Sequence, residues 1–98
     1  MDANKEIRRA VDTGKIVFGF QETEKNSVQG KAQLIILTNN LEKAKKEKLI
    51  EYGKLAKIPC IEFNGNSKEL GSVCGKPFIV SVMGILDKGK SNVLELAK

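Results

Sequence analysis

The chain contains no histidine and no tryptophan, only two cysteines and two prolines, and five aromatic residues among its 98. Without histidine there is no side chain that ordinarily exchanges protons near pH 7, and no imidazole to complete a zinc site. Cys60 and Cys74 stand far apart with no Cys-x-x-Cys between them, so they read as buried free thiols of a reducing compartment rather than a redox pair. No apolar run approaches the ~18 residues needed to cross a bilayer. The first residues, Met1-Asp2-Ala3-Asn4-Lys5-Glu6, lack the basic-then-apolar order of a signal peptide, and a cytoplasmic protein is expected. There is no Gly-x-Ser-x-Gly elbow, no metal-spaced carboxylate cluster and no phosphate loop. Gly71 to Lys76 comes one residue short of that loop, with Pro77 where Ser or Thr is required. These absences predict no enzyme, no catalytic residues, no metal and no cofactor.

What the chain has is positive charge: 17 Lys and Arg against 12 Asp and Glu, a net +5 and a pI near 9.3. That balance fits a polyanionic partner, and equally a lysine-rich solvated surface. Its length suits one domain over residues 1–98 with a modest aliphatic core.

Apolar periodicity predicts a first helix from Asp2 to Val11, with Gly14 ending it and Arg8 and Arg9 outward. A short strand over Ile16-Val17-Phe18 then leads through Gly19 into a helix that closes at Gly30. That helix is unusually polar: only Phe20 and Val28, helped by Thr23 and Ser27, can anchor it. Leu34 to Leu37 reads as a strand buried on both faces. A lysine-rich helix follows from Leu41 to Ala56, with Asn39 and Glu42 spaced as a capping box. Residues 58 to 63 predict a third strand, Asn66 with Glu69 caps a short helix to about Cys74, Phe78 to Leu86 predict a long fourth strand, and Ser91 to Ala97 a closing helical turn. This alternation predicts an α/β fold, a three-layer α/β/α sandwich around a mixed four-stranded sheet, with the direction of the first strand left open.

Three connections, Gly19 to Lys25, Thr38 to Asn40 and Gly75 to Phe78, each join a strand and a helix, and ligands of open α/β sheets gather at such strand ends. Together they would offer a helix N-terminus, carboxamides, a carboxylate, two lysines and an aromatic ring. That set suits a base edge with its neighbouring phosphate. The alternative is a small metabolite- or nucleotide-binding domain or enzyme using the same edge.

Thr13-Gly14-Lys15, Gly19-Phe20, Gln29-Gly30-Lys31-Ala32, Leu34 to Leu37 with Asn39-Asn40, Glu51-Tyr52, Glu69-Leu70-Gly71 and Cys74-Gly75-Lys76 together resemble the archaeal and eukaryotic large-subunit ribosomal proteins numbered thirty. These belong to the kink-turn RNA-binding superfamily, and the compact length resembles their archaeal form. The resemblance implies a structural RNA-binding protein of the large ribosomal subunit that stabilises kinked RNA with tandem sheared G·A pairs. By the same resemblance, Gly19 permits close backbone approach, and Gln21, Glu22 and Lys25 face the G·A pairs and adjoining backbone. Asn40 is a polar contact after the second strand, and Lys76, Pro77 and Phe78 lie by an extruded nucleotide. Gln21 departs from the basic residue usual there. The implied partners are ribosomal RNA with a kink-turn internal loop, and neighbouring ribosomal proteins, in the cytoplasmic ribosome. No membrane is implied, and the free protein is expected to be monomeric.

Overall fold

The computed structural model describes residues 2–97. Helix α1, Ala3–Thr13, is capped by Asp2, whose carboxylate accepts from the Lys5 amide at 3.3 Å, and it buries Ile7 and Ala10 on one face. Strand β1, Lys15–Phe18, turns at Gly19 into α2, Phe20–Val28. Next come β2, Leu34–Leu37, α3, Lys43–Ala56, β3, Cys60–Glu62, and α4, Ser67–Val73. Strand β4, Val82–Asp87, and a 3-10 helix over Val93–Ala97 complete the chain.

The sheet order is β1-β4-β2-β3, with β4 antiparallel to both neighbours and β2 parallel to β3. The sheet is therefore mixed, and the open question of β1 resolves as antiparallel. Side chains alternate across the sheet. Leu34, Ile36, Met83 and Ile85 pack with Ile7 and Ala10 of α1, Leu70 of α4 and Val93 of the final turn. Ile35, Leu37 and Val82 pack on the opposite face with Leu49 of α3 and half-buried Phe20 of α2. Helices thus cover both faces, as a sandwich requires.

Three sequence expectations need correction. Val28 does not anchor α2: it is 64% exposed, and the buried residues are Thr23, Asn26 and Ser27. Two of these short polar side chains can be buried because they bond their own helix, whereas the buried Thr23 hydroxyl has no hydrogen-bond partner among the described residues. Ser27 Oγ donates to the Thr23 carbonyl at 2.7 Å and Asn26 Nδ2 to the Glu22 carbonyl at 2.8 Å. Opposite Thr23 lies Gly84 of β4, where a Cβ would come within 3.4 Å of the Thr23 methyl and 3.1 Å of Val17. The missing side chain lets a polar helix lie close to the sheet.

The Asn39–Glu42 capping box does not form, since α3 begins at Lys43 after an extended Glu42 with no side-chain cap. The fourth strand starts at Val82, not Phe78. The preceding segment follows α4 instead: the Val80 amide donates to the Ser67 carbonyl at 3.0 Å, and the Phe78 carbonyl packs on Gly71, where a side chain would collide with it.

Cys74 is buried, and its burial pushes the thiol up to about 11 despite the opposing charges of Lys76 and Arg8. Cys60 is only half-buried, and desolvation raises its pKa as well. Neither thiol is poised as a thiolate at neutral pH.

Candidate nucleic-acid interface

Because β1 and β2 both run antiparallel to β4, the ends of β1 and β2 and the start of β4 meet at one edge of the sheet. The three predicted connections are therefore neighbours. The Gly19 amide donates to the Val82 carbonyl at 2.9 Å, and the Thr38 amide to the Ser81 carbonyl at 3.0 Å. Phe18 meets Phe78 edge-to-face at 6.0 Å, with the Lys76 ammonium 5.4 Å from the Phe18 ring centroid. That pair ties the α4–β4 segment to the end of β1.

Gly19 has φ +92° and ψ 161°, a backbone that in practice only glycine adopts, and no atom lies within 4 Å of where its Cβ would be. The backbone is bare toward solvent. No side chain caps α2, and its first helical hydrogen bond runs from the Thr23 amide to the Gly19 carbonyl at 3.1 Å. The amides of Phe20, Gln21 and Glu22 therefore have no helical acceptor and carry the positive end of the dipole. Gln21, Glu22 and Lys25 are all exposed on this turn and the next. Among the described residues none of the three side chains makes an ion pair or side-chain hydrogen bond. Glu24, two positions from Glu22, is by contrast tied to Tyr52 Oη at 3.3 Å and Lys48 Nζ at 3.6 Å.

Gly19 and Phe20 line two adjoining grooves. One runs past Gln21, Glu22, Glu24 and Lys45, the other past Asn40, Leu41, Glu42, Lys45 and Ile79 to Val82. Lys76, Pro77 and Phe78 lie in a third, joined to the second through Ile79. Seven of the eight predicted site residues thus line one continuous edge, and Lys25 stands one helical turn along from Gln21, outside the grooves.

Asn40 lines the edge, yet its amide is largely committed to the fold. Its Oδ1 accepts from the Ser67 amide at 3.1 Å and lies 2.9 Å from Thr38 Oγ1, while Nδ2 donates to Ser67 Oγ at 3.1 Å. One Nδ2 hydrogen remains for a partner. Phe78 is 51% exposed, so it belongs to the surface rather than to the core.

Sequence reasoning missed Lys45, Phe18 and Ile79. Lys45 sits 5.5 Å from the Phe20 ring centroid and lines two of the grooves, although in the sequence it reads, with Lys43, Lys46 and Lys48, as part of a solvated helix face that at most grazes ribosomal RNA. Helical spacing could not have marked it, because Leu41, which lines the same groove, lies before α3 begins at Lys43. Ile79 is 66% exposed because its segment leaves the sheet, and no residue pattern marks that.

A family model described as the ribosomal protein L7Ae/L30e/S12e/Gadd45 family matches residues 1–95. The chain is 45% identical over 98 residues to the large ribosomal subunit protein eL30 of Methanocaldococcus jannaschii, covering 100% of this chain and 89% of that one. It is 43% identical over 96 residues to the protein of the same name from Methanothermobacter thermautotrophicus, covering 98% of each. In fold it is similar to a Bacillus halodurans C protein of unknown function, with a TM-score of 0.84 at 23% identity, covering 98% of this chain and 95% of that one. By sequence along nearly its whole length, and by an architecture consistent with it, the chain belongs to the ribosomal protein L7Ae/L30e/S12e/Gadd45 family.

Proposed function

We propose that the chain is a non-enzymatic component of the large ribosomal subunit, in the cytoplasm, that binds ribosomal RNA at a kink-turn and holds its bend. Residues 1–98 act as one RNA-binding domain, monomeric when free, with other ribosomal proteins as neighbours. Support for the ribosomal role comes from the relatives, which are large-subunit ribosomal proteins. Support for the mode of binding comes from one observation above the rest: the uncapped first turn of α2, with bare Gly19 before it and an unpartnered Gln21, Glu22 and Lys25 upon it.

In this reading the Glu22 carboxylate accepts from the ring N–H and amino group of a guanine in a tandem sheared G·A pair. Gln21 bonds a neighbouring base edge, and Lys25 neutralises adjoining phosphate. RNA backbone passes close over Gly19. Asn40 contributes its free amide hydrogen, and Phe78, flanked by Pro77 and Lys76, offers a ring beside a nucleotide turned out of the stack. Because these contacts exist only with bent RNA, the protein selects the kinked conformer and shifts the equilibrium toward it.

The test is Glu22→Ala titrated with RNA containing tandem G·A pairs and with the same RNA repaired to Watson–Crick pairs. Affinity for the G·A RNA should fall by about 10- to 100-fold, the scale of one lost bidentate base contact, with the repaired RNA unaffected. Equal loss on both RNAs contradicts base reading by α2.

A further inference from the structure

The groove beside α4 has chemistry that the G·A-reading turn does not use. Its walls are Lys68, Ser72, Lys76, Pro77, Phe78 and Ile79. Phe78 and Ile79 are consecutive, yet 51% and 66% exposed, because their segment has left the sheet and no longer alternates between core and solvent. Lys68 and Ser72 lie one turn apart on α4, both exposed. Among the described residues neither side chain has a hydrogen bond or an ion pair. Among the described residues no carboxylate lines the groove. The nearest acid on α4, Glu69, turns its carboxylate toward Gly65, with Oε2 2.9 Å from where a Cβ would stand.

An apolar floor flanked by two uncompensated ammonium groups matches an unpaired polynucleotide strand: bases stack on the floor and phosphates meet the lysines. A duplex stem cannot use the floor, since its base faces are stacked within the helix. The groove also continues into the α2 edge through Ile79, and Lys76 reaches over Phe18 at the end of β1. One continuous surface thus runs from the α2 edge onto α4.

We propose that this groove is a second RNA subsite, which takes an unpaired stretch running out from the bend without regard to its sequence. Lys68 and Lys76 bind successive phosphates, Phe78 and Ile79 carry the bases, and the Ser72 hydroxyl bonds a ribose or base edge. The proposal rests on RNA binding at the α2 edge, and the experiment separates the two.

Wild type, Glu22→Ala and the double variant Lys68→Ala/Ser72→Ala, whose two residues line the α4 groove alone, are titrated with two RNAs sharing one tandem G·A bend, one ending in an unpaired run and one trimmed flush. Wild type should prefer the tailed RNA. The double variant should lose about tenfold on it, the scale of one phosphate contact and one hydroxyl hydrogen bond, and bind the trimmed RNA as wild type does. The magnitude of its slope of log affinity against log salt should fall by ~0.7 for the lost phosphate contact. Glu22→Ala should weaken both RNAs alike. If wild type gains nothing from the tail, or the double variant binds it undiminished while Glu22→Ala fails on both, the second subsite is wrong and the α2 reading stands. If Glu22→Ala weakens neither RNA, the α2 reading fails and the subsite's premise fails with it. If the double variant leaves RNA binding intact but removes a protein crosslink in assembled subunits, the groove is a protein dock and the proposal is overturned.

Discussion

Helices α2 and α3 lie side by side on the same face of the sheet, and they handle charge in opposite ways. Five lysines fall in the 14 residues of α3, and three of them have partners inside the fold: Lys43 with Glu47 at 3.9 Å, Lys46 with Glu62 at 2.9 Å and Lys48 with Glu24 at 3.6 Å. A fourth, Lys45, lies over Phe20. α2 has a single lysine in nine residues, but Gln21, Glu22 and Lys25 are left unanswered beside an uncapped helix start. Charge density therefore points to α3, whereas the proposed interface lies on α2. What separates them is whether each polar group already has a partner, since a free group at an open helix end is available to a ligand at little cost in lost internal bonds.

The sharpest way to break this contrast is Gly19→Ala. A Cβ at φ +92° strains the backbone by about 1–3 kcal/mol, which denaturant unfolding would record. The same methyl enters the open space over which RNA backbone is proposed to pass, so affinity for the G·A RNA should fall by well over tenfold at temperatures where the variant remains folded. A destabilised Gly19→Ala that still binds as wild type would remove α2 from the interface.

Asn40→Ala sharpens the comparison from the other side. Asn40 lines the edge like an α2 residue but is bonded internally like an α3 residue. Truncation leaves the Ser67 amide without its acceptor, and stability should drop by about 1–3 kcal/mol. Asn40→Asp keeps the acceptor and should retain most of that stability. With a single amide hydrogen to give, Asn40 should add little to binding, so Asn40→Ala should bind bent RNA within a few-fold of wild type once folded. Asn40→Asp adds negative charge and should lose more at low salt, recovering as salt is raised. A loss of well over tenfold in folded Asn40→Ala would make Asn40 a principal contact instead.

Much of this was legible in the residues. The continuous apolar run Leu34 to Leu37 marked the central strand and the Asn66–Glu69 spacing a true cap, with the Glu69 amide 2.9 Å from Asn66 Oδ1. Alternating helices and strands then placed three connections at one edge. The errors arose where local pattern lost to tertiary contact. Val28 looked like an anchor because valine usually is one. Gly84 instead made room for Thr23, and Ser27 is buried beside it on the same helix, two hydroxyls that no hydrophobicity pattern counts as buried. Phe78 and Ile79 read as strand because nothing in their own residues shows that Gly71 and Ser67 of α4 hold that backbone away from the sheet. Asn39 had cap spacing, but its amide donates to Gly65 at 3.2 Å and the helix begins later. Free and committed side chains of one type, such as Glu22 and Glu24, differ only in what the fold brings against them.

The smallest effect belongs to the outer face of α3. Lys43 and Glu47 are 88% and 66% exposed and 3.9 Å apart, a pairing too solvated to add more than ~0.5 kcal/mol. Lys43→Ala should therefore leave stability nearly unchanged. Its effect on RNA should be electrostatic alone, a small loss shared equally by G·A and repaired RNAs that vanishes as salt is raised. Comparing the two RNAs at low salt checks this directly, because screening removes long-range attraction but not base reading. A loss confined to the G·A RNA would mean that α3, for all its internal pairing, reads the bend, and the contrast between the two helices would no longer mark the site.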